Sequence, residues 1–497
     1  MGSCCYRLLS LNTRCCHRQV ESFWSPILFI SSLNVVVLSS GEIMLPSQSS
    51  IQVAKFGGTS MADAEAIRAC ITIIESAQTP LLVVVSACAG VTNLLIQISE
   101  SKTLTERQRL TQQIEQKHLD IAHHGNVDEQ CITQLNDCHN ELRELINATL
   151  PSGSVALARR RDLIVSVGER CSSTLFAGLW RKQQPLADVI DVREFLQTDS
   201  EYGQATPDLE QTQRLCEPLR QRLAKGERLV TQGFIGSDKQ GYTTTLGRGG
   251  SDFSGVIMAA ALRAERLAIW TDVAGIYTTD PRICADARPL QEISFAEAAE
   301  LATFGAKVLH PKSLKPAIEH GIDVFVGHSR YPEQGGTLVS ASPSQRPSIR
   351  ALALRRNQTL LTVHSVDMLH ATGFLARLFD VLARYNISVD LVTTSEVSIA
   401  LTLDEAGSVA NGRSILPPAM LEELRAFATI NIEQDLTLIA VIGNDIGHFG
   451  DISPFVLEAA SPATIRMICQ GASHHNLCFL VADQDAEKVV KKLHAKL

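Results

Sequence analysis

Apolar residues along this chain fall into two regimes. From Ile51 to about Val339, short continuous apolar runs alternate with stretches in which apolar residues recur every three or four positions. The run IQVAKF from Ile51 is an expected strand, as are Leu81–Ser86, Leu163–Val167, Arg228–Gln232, Leu267–Thr271 and Val324–Val326. Asp63–Ala77 sets Ile67, Ile71, Ile74 and Ala77 on one stripe and is an expected helix, like Leu104–Ala122 and Gln134–Thr149. Continuous rather than alternating apolar strands belong to a sheet covered on both faces, which predicts an α/β core with helices on both sides. Ligands gather at the C-terminal ends of such strands, and Lys55, Ser86, Gly168 and Asp272 stand at those ends.

Beyond Val339 the pattern changes. SASPSQRPS at 340–348 reads as a linker. Strand–helix–strand–strand units follow: Leu360–Val366, Gly373–Tyr385, Ser388–Thr393 and Ser398–Leu403, then Thr437–Ile442, Ile452–Ala460, Ile465–Ile468 and Asn476–Val481, with a closing helix Asp485–Leu497. NISVDLVTTSEVSIALTLD echoes ATIRMICQGASHHNLCFLVAD, as in a tandem repeat of a βαββ module; two unrelated α+β pieces are the alternative. The first 43 residues stand apart. Phe23–Leu38 is apolar but shorter than the ~20 residues a membrane span needs, and no small-residue cleavage site follows it. MGSCCY carries Tyr6 where myristoylation wants Ser or Thr. Met44 is the expected start of the folded protein, with 1–43 upstream-translated or disordered.

Composition narrows the class. At 497 residues, a prior of roughly 150 per domain gives about three domains. The net charge of −8 leaves no basic face for a nucleic acid but does not oppose a small acidic substrate held by local Arg and Lys. Thirteen cysteines lie scattered, without C-x-x-C or Cys/His ligand spacing in the body of the chain. Reduced, buried thiols in a cytoplasmic protein are expected, with no metal site and no membrane association.

Five segments carry candidate chemistry. In KFGGTS, Lys55 closes a strand and Gly57-Gly58 turn towards a helix, so backbone N–H groups can face an anion; an ordinary tight turn fits as well. No Walker A spacing is present. TTTLGRGGSD (243–252) packs hydroxyls, glycines, Arg248 and Asp252 into ten residues, an anion cradle or a polar loop with Asp252 as helix N-cap. IWTDVAGIYTTDPR (269–282) ends a strand at Thr271-Asp272, with Tyr277 able to cover a base and Arg282 a phosphate; a helix-capping loop is the equal alternative. TFGAKVLHP places Lys307 on a helix approaching Pro311. VSVGER sets Glu169 at a helix start after a strand, where it can bind an ammonium. Together they have the profile of phosphoryl transfer, in which positioning and charge neutralisation dominate.

These segments, with SA-x-x-G-x-TN-L from Ser86 to Leu94, occur in the order found in aspartokinases, and the chain resembles that family from about Ile51 to its end. RALALRRNQTLLTVHS, NISVDLVTTSEVS and MICQGASHHNLCFLV resemble the monofunctional, lysine-sensitive branch. The resemblance implies an amino-acid-kinase domain over 44–340 and two α+β ACT (βαββαβ) modules over 349–497, side by side or interleaved. It implies phosphorylation of L-aspartate by ATP and Mg²⁺, the first step towards lysine, threonine and methionine. By motif, Lys55, Asp252 and Lys307 would be catalytic. Lys55, Phe56, Gly57, Gly58, Thr271, Asp272, Tyr277, Arg282, Lys307 and Val308 would hold ATP. Ser86, Thr92, Glu169, Arg248, Gly249, Gly250 and Ser251 would hold aspartate, with Glu169 on the ammonium and Arg248 on the α-carboxylate. Lysine would act at Met368, Gly373, Phe374, Leu375, Ser388, Val389, Asp390, Ser395 and Glu396, between ACT modules of a homodimer or homotetramer. Two residues depart from the pattern: Ala371 stands where Ser is usual, and Val167 where His is common. Threonine sensitivity, insensitivity, or an inactive amino-acid sensor are the alternatives.

Overall fold

The computed structural model describes residues 36–37, 43–44, 51–76, 79–305, 309, 311–404, 415–446 and 452–497. The segment before Ser49 forms its own unit, in which Val36–Val37 pairs antiparallel with Ile43–Met44. The rest of the expected 1–43 extension lies outside the described residues.

The region expected to be catalytic is built on an eight-stranded sheet. Its strands in chain order are β1 (Gln52–Phe56), β2 (Leu81–Val85), β3 (Asp188–Val189), β4 (Leu229–Gln232), then, beyond the small hairpin of β5 (Ile235–Ser237) and β6 (Thr243–Thr245), β7 (Arg266–Thr271), β8 (Glu292–Ser294), β9 (Asp323–His328) and β10 (Gly336–Ser340). The spatial order is β8-β10-β9-β7-β1-β2-β4-β3. Only the β9–β10 pairing is antiparallel. The LLVVV of β2 is buried throughout, as a strand covered on both faces must be.

Alternate side chains feed two cores. Phe56, Val83 and Val85 pack against α1 (Ala64–Glu75), α2 (Val91–Glu100), α3 (Leu104–Gly125), α4 (Glu129–Asn147) and α5 (Ser154–Trp180). Val53, Leu82, Val84 and Leu267 meet the other face, which α6 (Leu209–Leu215), α7 (Glu217–Ala224), α8 (Gly250–Leu262), α9 (Phe295–Thr303) and α10 (Pro311–His320) help to cover.

One expected strand is wrong. Leu163–Val167 lies inside α5, so Gly168 is not at a strand end and Glu169 is not at a helix start. Almost every residue from 162 to 180 is buried, so this helix shows no polar face and its apolar run mimics a buried strand.

The region expected to be regulatory holds a six-stranded sheet of β11 (Ala351–His364), β12 (Ser388–Thr394), β13 (Ser398–Asp404), β14 (Thr429–Ile442), β15 (Met467–Gln470) and β16 (Asn476–Ala482). Its order is β12-β13-β11-β14-β16-β15, antiparallel throughout. Helices α11 (Phe374–Arg384) and α12 (Pro418–Arg425) serve one module core; α13 (Ile452–Ala460) and α14 (Asp483–His494) serve the other. The strand expected at Leu360 starts at Ala351, and that expected at Thr437 starts at Thr429. Each long strand serves both modules. Residues 359–364 pair with β13, whereas 351–355 pair with 438–442, whose other edge pairs with β16. The modules are therefore interleaved, the second taking a strand that precedes the first. Pairing shifts register at 355–360, where Asn357 has φ +58°.

Candidate active site

Strands β1, β2 and β7 end on the same edge, and the loops beyond them build two adjoining cavities. The first, about 680 Å³, is lined by Lys55, Gly58, Ser86, Thr92, Glu169, Arg248, Gly249, Gly250, Ser251 and Asp252. Every residue expected to hold aspartate is among them. Lys55 is 6 % exposed, and its Nζ meets Asp252 Oδ1 at 2.5 Å. A lysine this buried needs such a counter-charge. Gly255, one turn along α8, gives the lysine room: a Cβ there would lie 3.2 Å from Lys55 Cβ. Asp252 is thus not the N-cap; Gly249 caps α8, and Asp252 in its first turn is the lysine's partner. Gly247 (φ +74°) and Gly249 (φ +75°) occupy left-handed backbone on either side of Arg248, which a side chain would strain.

The reading of KFGGTS needs two corrections. Phe56 is fully buried against Phe176 and Trp270, because successive side chains of β1 point to opposite faces. The Gly57 N–H donates to Trp270 O at 3.1 Å, and a 3₁₀ turn, Gly58–Met61, intervenes before α1.

Glu169 is 2 % exposed and accepts the Ala87 N–H at 3.3 Å. Burial pushes its carboxyl up to about 8, against the hydrogen bond from Ala87 that favours the charged form. Two turns earlier, buried Asp162 also lines the cavity and accepts from Gly203 N, Thr245 N and Thr245 Oγ1 at 2.8–2.9 Å. It fixes the 203–205 loop and β6 to α5. Asp162, Arg161 and Gln204 escaped the sequence reading, which held Asn93 only as part of the Ser86–Leu94 motif. The i, i+7 spacing of Asp162 and Glu169 puts both on one helix face, a signal visible only once the segment is read as helix.

The second cavity, about 990 Å³, is lined by Thr271, Asp272, Tyr277 and Arg282, by Arg248 from the first, and by Leu352–Gln358 of β11. The regulatory strand as a wall was not foreseen, since nothing local in RALALRRNQ announces it. Arg282 is ion-paired with Asp280 at 2.6 Å and its side chain is 88 % exposed. Lys307 and Val308 lie outside the described residues.

A third cavity, about 320 Å³, lies in the first regulatory module and is lined by Met368, Ala371, Gly373, Phe374, Leu375, Ser395 and Glu396. Ser388, Val389 and Asp390 on β12 do not line it; the Asp390 carboxylate pairs with Arg355 at 2.7 Å.

The nine described cysteines are free, and eight are buried. Cys171 sits beside His118 and His139. The imidazoles meet Nδ1 to Nε2 at 3.1 Å with planes 2° apart. Two parallel neutral imidazoles at this separation can share one N–H···N hydrogen bond. Burial lowers the pKa of both rings, that of His118 to about 3, so both are neutral near pH 7.

The family model for the amino acid kinase family matches residues 50–328, and that for the ACT domain matches 439–497. The chain is 48 % identical over 456 residues to lysine-sensitive aspartokinase 3 of Escherichia coli, spanning 90 % of this chain and 99 % of the relative. The chain belongs to the aspartokinase family. Chloroplastic aspartokinase 3 of Arabidopsis thaliana is 35 % identical over 464 residues, 89 % of this chain and 81 % of that one. Two crystal structures of E. coli aspartokinase III superpose with TM-score 0.78 at 46 % identity. One, with aspartate and ADP (R-state), matches 90 % of this chain and 99 % of its own; the other, with lysine and aspartate (T-state), matches 91 % and 100 %. The expected kinase fold with ACT modules thus agrees with both the architecture and the aspartokinase relatives.

Proposed function

We propose that the protein transfers the γ-phosphoryl group of ATP to the β-carboxylate of L-aspartate, giving 4-phospho-L-aspartate. One observation carries this reading: the buried Lys55–Asp252 pair, Glu169 and Arg248 share one cavity, and Arg248 also borders the larger cavity of Thr271, Asp272 and Tyr277. Two ligands in these cavities would meet end to end. The nucleophile, a carboxylate of pKa ~4, is ionised at neutral pH and needs no general base. The obstacle is repulsion between that carboxylate and the phosphates. Lys55 opposes it as a pre-placed buried cation. Glu169 receives the substrate ammonium, whose charge drives its ionisation, and Arg248 grips the α-carboxylate. Asp252 and Asp272 offer carboxylate oxygens, the donor type that Mg²⁺ prefers, and would hold the ion that, bound with ATP, would supply further neutralisation.

Feedback inhibition by L-lysine at the third cavity is supported by the lysine-bound relative and by Glu396 and Ser395, which line that cavity. Ala371 there offers no hydroxyl, which removes one hydrogen bond. Exposed Val366, Leu375, Phe379 and Val392 on the same module favour a homodimer or homotetramer, to be read by sedimentation. The free buried thiols fit a cytoplasmic protein. Among the described residues no helix is long and apolar enough to cross a membrane.

A hydroxamate assay with aspartate and ATP tests the reading. Product formation inhibited by millimolar lysine is expected. Absence of hydroxamate sinks the kinase assignment, and inhibition by threonine alone reverses the choice of effector.

A further inference from the structure

The last helix of the regulatory region reaches back to the catalytic one. Val489, Val490 and Leu493 of α14 pack into the second module core, while its final residue, His494, is 5 % exposed against the 276–290 segment. His494 Nε2 lies 2.8 Å from Thr278 Oγ1, and its Nδ1 lies 3.3 Å from Cys284 Sγ. Thr278 Oγ1 already accepts the Arg288 N–H at 3.0 Å, so its own hydrogen is free to donate to His494 Nε2. The ring then carries its hydrogen on Nδ1, towards Cys284. Burial and the Arg288 charge lower the pKa of His494, with Asp286 opposing, which keeps this neutral form.

Thr278 is also tied through its backbone. Its carbonyl accepts Leu352 N–H of β11 at 2.8 Å, and its N–H donates to Arg288 O at 2.9 Å. Tyr277 and Thr279, on either side, line the 990 Å³ cavity, but Thr278 does not. The Thr278 hydroxyl instead meets His494, outside the cavity that its two neighbours line.

We propose that His494 is a positioning residue for the nucleotide: through Thr278 it fixes Tyr277 and Thr279, so that the last regulatory helix sets nucleotide affinity. This rests on the second cavity being the ATP site.

The test uses the full chain, with ADP binding by calorimetry and steady-state kinetics in ATP and aspartate. His494→Ala leaves the hydrogen of the buried Thr278 hydroxyl without an acceptor, and ADP Kd and ATP KM should rise about tenfold with aspartate KM unchanged. His494→Gln, which can return an acceptor to Thr278, should recover most of that loss, and Thr278→Val should reproduce it. Wild-type ADP affinity in both His494→Ala and Thr278→Val overturns the proposal. So does a loss shared equally by ATP KM, aspartate KM and thermal midpoint, which would mark His494 as a mere anchor of the helix. A wild-type chain that binds ADP without phosphorylating aspartate overturns the kinase reading instead, and variant ADP affinities still decide the role of His494.

Discussion

The Glu169 carboxyl accepts one N–H from Ala87, while its Oε2 has no hydrogen-bond partner among the described residues. Its pKa is raised by burial from 4.5 to about 8, which would couple the proposed binding of the substrate ammonium here to proton release. Near pH 7 the free protein holds this carboxyl protonated, and an arriving ammonium favours the charged form. Aspartate binding should therefore release a proton, read as a dependence of calorimetric heat on buffer ionisation; no dependence would refute it. The raised folded pKa also costs stability. The penalty is absent below the unfolded value, grows as pH rises from about 4.5 to about 8, and is complete above that. Glu169→Gln should thus be more resistant to urea than wild type at about pH 8.5, by roughly a few kcal/mol, and equal to it near pH 4.5, while losing aspartate affinity. Lys55→Ala should lose about 10²–10³ in kcat, with a smaller change in aspartate KM, because its charge is needed most when the carboxylate meets the phosphate. An unchanged kcat would remove Lys55 from the mechanism.

At the level of elements, helix α8 and strand β1 work as one part. Gly255 in α8 faces the stem of Lys55, and an added Cβ at 3.2 Å would press on a side chain rooted in a buried strand. Alanine is the better helix former by up to about 1 kcal/mol. Gly255→Ala should therefore change urea stability by less than about 1 kcal/mol while lowering kcat severalfold. A variant as active as wild type would show that Lys55 tolerates the shift. The kinase strands were legible because parallel strands buried on both faces leave continuous apolar runs. The same rule failed at Leu163–Val167, since a helix buried all round leaves the same trace.

Across the whole molecule, the regulatory region is docked onto α9. Glu297 (fully buried) closes the capping box with Ser294 and accepts from Arg350 Nε at 3.1 Å and Asn444 Nδ2 at 2.7 Å; Glu300 accepts from Ser473 and Asn476. Removing one partner of a buried ion pair costs about 3–5 kcal/mol, because the other charge stays buried alone. Arg350→Met should lose roughly that much in urea unfolding and expose the 340–350 segment to protease. Arg350→Met with Glu297→Gln should lose less than the single change; equal loss would refute the uncompensated-charge account. The linker expected at 340–348 is thus a boundary in sequence that ends in a buried tie, since Arg350 follows directly.

What the sequence determined by itself is local: the strand and helix types apart from the buried run Leu163–Val167, the ACT-like repeat, and the motifs whose residues surround the first two cavities. These depend on side-chain periodicity and on glycine and charge within a few positions, and both are written along the chain. Only the tertiary structure decided that Lys55 pairs with Asp252, nearly two hundred residues away, that β11 belongs to two modules, and that it walls the 990 Å³ cavity. Those outcomes depend on which sheet edge or buried charge finds which partner, and no local pattern encodes that.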